Sequence, residues 1–318
     1  ELKFTSRRLI NGNSRIVVDF EYTDRQYTRN FFAAQGNSDL MNEKIKLIAS
    51  FIREADDYNN PIDLTLTDAD KETLRTAGDN RLRGAQSGVQ FVGEGKGQYI
   101  RTDTLLNENA FTIYRYAPGD TAANYSVSFT YIGDRKGDYS KLSIGNYQFV
   151  GVGLGSYLPI RFLPFPQLQT LVDVDLNTKV TDDLRVFGEA AVSNYDANRF
   201  SNLDDGDNKG GAYKFGLQLN PQNVTVGKTN IGSFDLQLKE RIISSQFIPI
   251  DRINNVEFGR KWNLNQTSQL REESGEGLLY YLPMKSVKVN SGLGYMKRGD
   301  QFSSNRTQAE FDLSESSL

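Results

Sequence analysis

The stretch that decides the fold is residues 171–219, LVDVDLNTKVTDDLRVFGEAAVSNYDANRFSNLDDGDNKGGAYKFGLQL. Apolar and polar side chains alternate on both sides of a short turn at residues 181–183, and a further alternating run, residues 213–219, follows a long polar segment. Alternation with a period of two places the apolar side chains on one face of a β-strand and the polar ones on the other. The stretch therefore predicts antiparallel strands joined by a short turn and a long loop.

The same alternation recurs along most of the chain. It appears at residues 15–22, 125–131, 234–239, 287–295 and 306–313. Long polar segments, residues 56–88 and 194–211, separate several of these runs. We therefore predict an all-β fold, an antiparallel hairpin meander that forms part of a large β-barrel with two unlike ends.

One short helix is predicted within the long loop at residues 56–88. Thr67 is a suitable N-cap with Asp70 three residues later, and Gly78 is the stop signal. A proline-rich segment at residues 158–166 cannot be a central strand, because each proline removes a backbone donor. We place a boundary there, between a β-region at residues 1–165 and a long-hairpin meander at residues 166–318 that is continuous with it.

A ten-residue phrase occurs three times in the first region, as FVGEGKGQYI from Phe91, YIGDRKGDYS from Tyr131 and FVGVGLGSYL from Phe149. Each copy predicts a hairpin, with a strand that ends in a turn at the glycines and a return strand that contains the tyrosine. A phosphate-binding loop would require Gly-Lys-Ser/Thr at the start of a helix, whereas a strand pattern follows each copy. We therefore read the phrase as a structural unit and expect no nucleotide to bind.

Composition excludes several functions. The net charge is −3 with no basic block, so nucleic acid is not an expected partner. The chain has no histidine and no cysteine, which removes the common nucleophilic triads and thiolate or imidazole metal sites. We expect no enzymatic activity. The first residues, ELKFTSRRLI, contain no initiator methionine, which suggests a processed or excised chain.

One loop carries the candidate metal ligands. These are Asp196, Asn198, Asp204, Asp205, Asp207 and Asn208. Closely spaced hard oxygen ligands suit Ca²⁺, although the glutamate expected six residues after the glycine of an EF-hand loop is absent. Two hypotheses remain open, a weak calcium site and a solvated acidic loop that is exposed and tolerant of change.

Tyrosines near predicted strand ends are candidates for an interfacial girdle, because the ring is apolar and the hydroxyl prefers water. They are Tyr22, Tyr99, Tyr131, Tyr157, Tyr195, Tyr213, Tyr280, Tyr281 and Tyr295. In a soluble β-protein the same residues would form cross-strand pairs or a sugar-stacking platform.

Residues 171–219 and 287–313 resemble hairpins of a Gram-negative outer-membrane β-barrel or a related cell-surface β-protein. The resemblance implies an outer-membrane or cell-surface location, a lipid bilayer as partner, and a structural, channel or transport role. It implies that Val174, Val186, Leu217, Leu236 and Val289 face lipid, while Asp173, Lys214, Gln237 and Asn290 face the lumen. The alternative is a soluble cell-surface β-sandwich or solenoid that binds a glycan or another envelope protein.

Overall fold

The computed structural model describes residues 26–62, 64–106, 109–264 and 269–313. The predicted strand at residues 15–22 and its Tyr22 lie outside these residues. The fold is all-β, as predicted, with a large antiparallel meander and few helical residues. In the part of the chain that the structure describes, no helix is long and apolar enough to cross a bilayer.

The first part of the chain contributes two long strands, a helix and a set of short strands. They are β1 (Tyr27–Leu40), β2 (Ile45–Pro61), α1 (Asp68–Ala77), β3 (Ala85–Ser87), β4 (Val89–Phe91), β5 (Tyr99–Leu106), β6 (Asn109–Tyr116), β7 (Tyr125–Val127), β8 (Thr130–Tyr131), β9 (Tyr139–Ser143), β10 (Asn146–Phe149), β11 (Tyr157–Leu158) and β12 (Ile160–Phe162).

The second part consists mostly of long strands. They are β13 (Leu168–Lys179), β14 (Leu184–Asp196), β15 (Lys209–Leu219), β16 (Val224–Val226), β17 (Thr229–Ile243), β18 (Glu272–Met284), β19 (Val287–Arg298) and β20 (Phe302–Leu313). A short 3-10 turn (Asp205–Asp207) precedes β15, and a second helix, α2 (Phe258–Trp262), which the sequence reading missed, lies between β17 and β18.

The long strands form one sheet in the order β1-β2-β13-β14-β15-β17-β18-β19-β20, with β16 paired to β17. Because β2 pairs with β13, strands before and after the proline-rich segment belong to the same sheet. Among the described residues the sheet does not close into a barrel, since β1 and β20 are its two edges.

The two ends of the large sheet differ, as the meander pattern predicts. Short connections at residues 41–44, 180–183, 220–228 and 285–286 join strands at one end. At the other end the chain makes longer excursions, at residues 62–167, 197–208 and 244–271, besides one tight turn at residues 299–301. We call these the short-turn end and the long-loop end.

Helix α1 begins where the sequence predicts. The Thr67 hydroxyl accepts a hydrogen bond from the Asp70 amide while the Asp70 carboxylate accepts from the Thr67 amide, and Gly78 has a φ of +60° at the end of the helix. The helix buries Leu74 and Ala77 in a small core at the long-loop end of the sheet. This reciprocal cap satisfies backbone donors that the first turn leaves unpaired.

The glycine phrases turn the chain, but the predicted hairpins are wrong. The first glycine of each copy has a positive φ, +104° at Gly93, +112° at Gly133 and +118° at Gly151. The strands on either side of each phrase pair with opposite edges of a third strand: β4 and β5 flank β7, β8 and β9 flank β11, and β10 and β11 flank β9. Each phrase is therefore an arch that crosses over one strand.

The last glycine of each phrase lies where the arch crosses. A side chain at Gly137 would collide with the Tyr157 backbone, and one at Gly155 with the Tyr139 backbone. The two arches join at this point, since the Gly137 amide donates to the Gly155 carbonyl at 3.0 Å and the Gly155 amide donates to the Gly137 carbonyl at 2.7 Å. Only a residue without Cβ allows this close approach.

The structure reveals a fourth, degenerate copy at residues 117–126. Gly119 has a φ of +82°, and Ala123, fully buried, stands in place of the last glycine of the phrase. The Gly97 amide donates to the Ala123 carbonyl and the Gln98 amide to the Tyr125 carbonyl, the same bonds that join the second and third copies. Strands β4–β7 and β8–β11 therefore form two small sheets of identical topology.

Two buried tyrosines lock these two sheets together. The Tyr99 hydroxyl donates to the Gly145 carbonyl at 2.6 Å and accepts from the Tyr147 amide at 3.1 Å. From the second sheet, the Tyr139 hydroxyl accepts a hydrogen bond from the Tyr114 backbone amide of the first sheet at 2.9 Å. Burial raises the pKa of Tyr99 to about 12, so its hydroxyl remains protonated and able to donate at neutral pH.

The predicted strand at residues 125–131 is interrupted between β7 and β8. Phe129 lies in the interruption, and its ring stacks on Tyr147 at 4.4 Å between ring centroids and approaches Tyr139 at 4.7 Å. Residues 128 and 129 do not continue the strand, and the Phe129 ring packs at the contact between the two small sheets. Aromatic packing therefore overrides the local alternation.

Candidate functional site

The large sheet has two chemically different faces. Residues paired directly in an antiparallel sheet point to the same face, and their chain neighbours point to the other. Val174 pairs with Ala190, which pairs with Tyr213, and this set defines the apolar face. Asp173 belongs to the opposite set, the polar face.

The apolar face includes Phe32, Phe51, Val172, Val174, Leu176, Val186, Val192, Tyr213, Phe215, Leu217, Leu236, Leu238, Leu279, Tyr281, Val289, Leu293, Phe311 and Leu313. The polar face includes Asp173, Asp175, Glu189, Lys214, Gln218, Asp235, Gln237, Arg241, Glu272, Glu276, Asn290, Arg306, Gln308 and Glu310. The register thus brings all five predicted lipid-facing residues onto one face and all four predicted lumen-facing residues onto the other.

Large side chains on the apolar face are open to the surroundings. The exposed fraction is 54% for Phe215, 66% for Leu293 and 62% for Phe311. A cavity of 810 Å³ lies on this face at Gly275 and Gly277 of β18, which have no side chains to fill it. An exposed apolar surface of this extent is typical of an interface with a membrane or another molecule.

Polar-face side chains pair with one another across strands. Lys214 binds Glu189 at 2.9 Å, Gln218 donates to Asp235 at 2.7 Å, and Asn290 donates to Glu310 at 3.1 Å. Cross-strand pairs of this kind stabilise a sheet surface that is in contact with water. The two faces are therefore suited to different solvents.

The apolar band runs obliquely across the strands. We call a set of directly paired residues a row. The row through Val174 contains Ala190, Tyr213 and Ile242 but continues into Glu273, Lys297 and Ser303. Nearer the short-turn end, the row through Phe234 contains Tyr281, Val289 and Phe311. The apolar side chains thus move towards the short-turn end from β2 to β20.

Most charged residues on the apolar face lie beyond this band. Arg53, Glu273 and Lys297 occupy the side of the band nearer the long-loop end, and Glu240 lies near that side, between Leu238 and Ile242. The Tyr295 hydroxyl donates to the Glu240 carboxylate there, which places a tyrosine at the edge of the apolar band. A band perpendicular to the strands would contain these charged residues, whereas most of them lie outside an oblique band.

The tyrosine girdle prediction is wrong for several members. Tyr99, Tyr131 and Tyr157 lie in the small sheets, where Tyr131 and Tyr157 form a cross-strand pair with ring centroids 5.4 Å apart. Tyr195 and Tyr280 lie on the polar face of the large sheet. Tyr213, Tyr281 and Tyr295 lie on the apolar face. Position near a strand end does not identify the face or the sheet.

The candidate calcium ligands do not converge on one point. Asn198 is fully buried, and its amide group donates to the Leu74 carbonyl at 2.8 Å and the Gly78 carbonyl at 2.7 Å, which are free acceptors at the end of α1. The Asp196 carboxylate accepts a hydrogen bond from the backbone amide of Asn198, and the Asn208 side chain donates to the Asp205 carboxylate at 3.1 Å. Asp204 and Asp207 are exposed. Across the described ranges, no group of three or more acidic side chains has metal-binding geometry, and calcium binding stays a prediction.

The same loop is more buried than its composition suggests. Residues 202–207 of the segment 194–211 are exposed as expected, whereas Asn198 and Ser201 are buried; tolerance to change stays a prediction. The Ser201 hydroxyl donates to the Arg75 carbonyl at 2.8 Å, and the Arg199 guanidinium donates to the Asp56 carbonyl. Short polar side chains at a helix terminus replace missing backbone partners, which explains their burial.

Acidic residues of this loop surround Asp79, which follows α1. Burial, with a smaller effect from the nearby carboxylates of Asp196, Asp207 and Asp204, raises the pKa of Asp79 to about 6. Asp79 also lines a polar cavity of 640 Å³ together with Arg29. Sequence reading grouped the loop acids but missed this residue, because it lies over a hundred positions away.

No protein-family model matches the chain, and comparison with curated proteins gave no match.

Proposed function

We propose that the large sheet is part of the wall of a membrane β-barrel, in the outer membrane or cell envelope, with a structural, channel or transport role. Its apolar face contacts the lipid bilayer, and its polar face lines the aqueous interior. The longer excursions form the outer mouth, because outer-membrane barrels have short turns on the inner side and long loops outside.

The observation that carries this proposal is the oblique apolar band. From β2 to β20 the band moves by about one residue per strand along the strand direction. With a rise of about 3.3 Å per residue and a spacing of about 4.8 Å between strands, the strands tilt by about 35° from the normal to the band. Membrane barrels have strand tilts of about 35–45°.

A sandwich would use an apolar face differently. A second sheet would cover the face at a distance of about 10 Å, and the apolar residues would be buried. The exposed Phe215, Leu293 and Phe311 favour a lipid environment over a packed core. Strand lengths agree with this reading, since the long strands that form the sheet contain 11 to 17 residues, enough to cross a bilayer at a tilt.

Lipid also requires the edges of the sheet to be paired. Backbone groups along the outer edges of β1 and β20 have no sheet partner among the described residues. Unpaired backbone donors and acceptors are not tolerated in the hydrocarbon region. The proposal therefore includes further strands next to β1 and β20 that complete the wall.

Spin-label accessibility tests the proposal. The natural chain has no cysteine, so single cysteines can carry a nitroxide at Val174, Val186, Leu217, Leu236 and Val289, with Asp173, Lys214, Gln237 and Asn290 as polar-face controls. In vesicles we expect a lipid-soluble quencher to reach the first set and not the second. Protection of the first set from both lipid-soluble and aqueous quenchers would contradict the barrel and favour a soluble surface domain.

A further inference from the structure

The connection after β17 folds back over the polar face. We call residues 244–264, which include α2, the strap. At its beginning the Ile248 amide donates to the Ser193 hydroxyl on β14 at 3.0 Å, and the Gln169 side chain on β13 donates to the Ile248 carbonyl at 3.1 Å. Its other end, at Trp262, contacts β18 and β19. The strap therefore spans the polar face from β13 to β19, about 24 Å at the usual strand spacing.

A cluster of charged and aromatic side chains fastens the strap, and we call it the latch. The Arg241 guanidinium on β17 donates to the Asn254 side chain at 2.8 Å and lies 4.8 Å from the centre of the Phe258 ring. Lys261 forms an ion pair with Glu276 on β18. Cation–π contacts and partly buried ion pairs of this kind hold a segment in a defined position.

Trp262, the only tryptophan of the chain, completes the latch. Its exposed fraction is 2%, and it lies against Gly294 on the polar face of β19. A Cβ atom at position 294 would be 2.9 Å from the Trp262 ring, so glycine leaves room for the ring to reach the sheet. A large aromatic ring is thus buried against the polar face of β19, so the strap covers this part of the sheet.

We propose that the strap is a constriction of the barrel interior, which restricts access to the polar face beneath it and is released when the latch opens. This inference rests on the proposed function, because the interior exists only if the sheet is a barrel wall. Ser274, whose exposed fraction is 8% and which lines a cavity with Arg241 and Trp262, lies beneath the strap, whereas Asn290 lies on the same face nearer the short-turn end.

The test combines two readouts in protein reconstituted into vesicles. Acrylamide quenching of Trp262 reports whether the strap is seated. The labelling rate of a thiol introduced by Ser274→Cys reports access beneath the strap, and Asn290→Cys provides a thiol away from it. We expect weak quenching and slow labelling at position 274 in the wild-type background, with faster labelling at position 290.

Charge reversal at the latch should release the strap. Lys261→Glu places two carboxylates together, and we expect quenching and position-274 labelling to rise several-fold, with position 290 unchanged. Lys261→Glu with Glu276→Lys should restore both wild-type values. Arg260→Glu is the matched control, because this side chain is 85% exposed and pairs only with Glu257 of the strap.

Two results would overturn the inference. One is strong quenching of Trp262 in the wild-type protein, and the other is release of Trp262 by Lys261→Glu without faster labelling at position 274. Failure of the chain to float with vesicles would instead overturn the proposed function. The quenching and labelling results in detergent would then separately decide whether the strap covers the polar face.

Discussion

Gly93, Gly133 and Gly151 occupy the same position in three arches, with φ angles from +104° to +118°. A β-branched side chain is strained at such angles, so each Gly→Val variant should be destabilised by about 1–3 kcal/mol. Denaturant unfolding or melting temperature measures this. Gly206→Val serves as the control, because its φ is not positive and a side chain there would meet open space. Unchanged stability in all three arch variants would show that these turns are not structural.

At Asp79 the raised pKa of about 6 makes stability depend on pH. The folded state binds the proton more tightly than the unfolded state, so this residue favours folding when it is protonated. Its contribution declines as the pH rises from the unfolded pKa of about 4 through 6. Asp79→Asn should therefore be more stable than the wild type at pH 7, and the difference should disappear below pH 4. A difference that does not change between pH 4 and 7 in urea unfolding experiments would contradict this.

Helix α1 depends on an element that lies far away in the sequence, because Asn198 satisfies two carbonyls at its end. Asn198→Ala leaves these buried acceptors without a partner and should cost about 1–3 kcal/mol. Asn202→Ala, at an exposed position of the same loop, should have little effect. Limited proteolysis should first cut residues 202–207 in the wild type and should extend to residues 198–201 in Asn198→Ala. Equal stability of the two variants would rule out the anchoring role.

Elements with local signals could be predicted from the sequence. Thr67, Asp70 and Gly78 determine the ends of α1 within a few residues, and alternation identifies the long strands. The arches could not be predicted, because the strand that each arch crosses is supplied by another copy of the phrase. The fourth copy keeps Gly119 and Tyr125 but has alanine in place of the last glycine, so only its hydrogen bonds reveal it.

On the scale of the molecule, the two faces of the sheet could be predicted and the oblique band could not. The face of a residue follows from local alternation, whereas the row that it occupies depends on every turn and register between it and the first strand. The strap was also missed. Phe258 and Trp262 lie four residues apart in a polar connection, and this spacing does not indicate which face of a distant sheet the strap covers.

Arginine substitution measures the difference between the faces in a bilayer. At Val174, Val186, Leu217, Leu236 and Val289 we expect a cost of about 2–4 kcal/mol near the midplane, falling towards the interfaces. At Asp173, Gln237 and Asn290 the cost should be much smaller, because these side chains lie on the polar face. Folding free energies in vesicles give the comparison, and equal costs on the two faces would contradict a lipid-facing surface.

The tilt of the strands makes a separate prediction about depth. Val174 and Ser303 belong to one row on the same face, so an untilted sheet would place them at the same depth in the bilayer. With a tilt of about 35°, Val174 lies within the hydrocarbon, while Ser303 reaches the aqueous boundary at the long-loop end. A nitroxide at Val174 should therefore respond to a lipid-soluble quencher, and one at Ser303 to an aqueous quencher. Phe311, on the same strand as Ser303, is the control that should respond like Val174. If Val174 and Ser303 instead show the same depth, the oblique band is not aligned with the membrane, and a barrel wall with tilted strands is excluded.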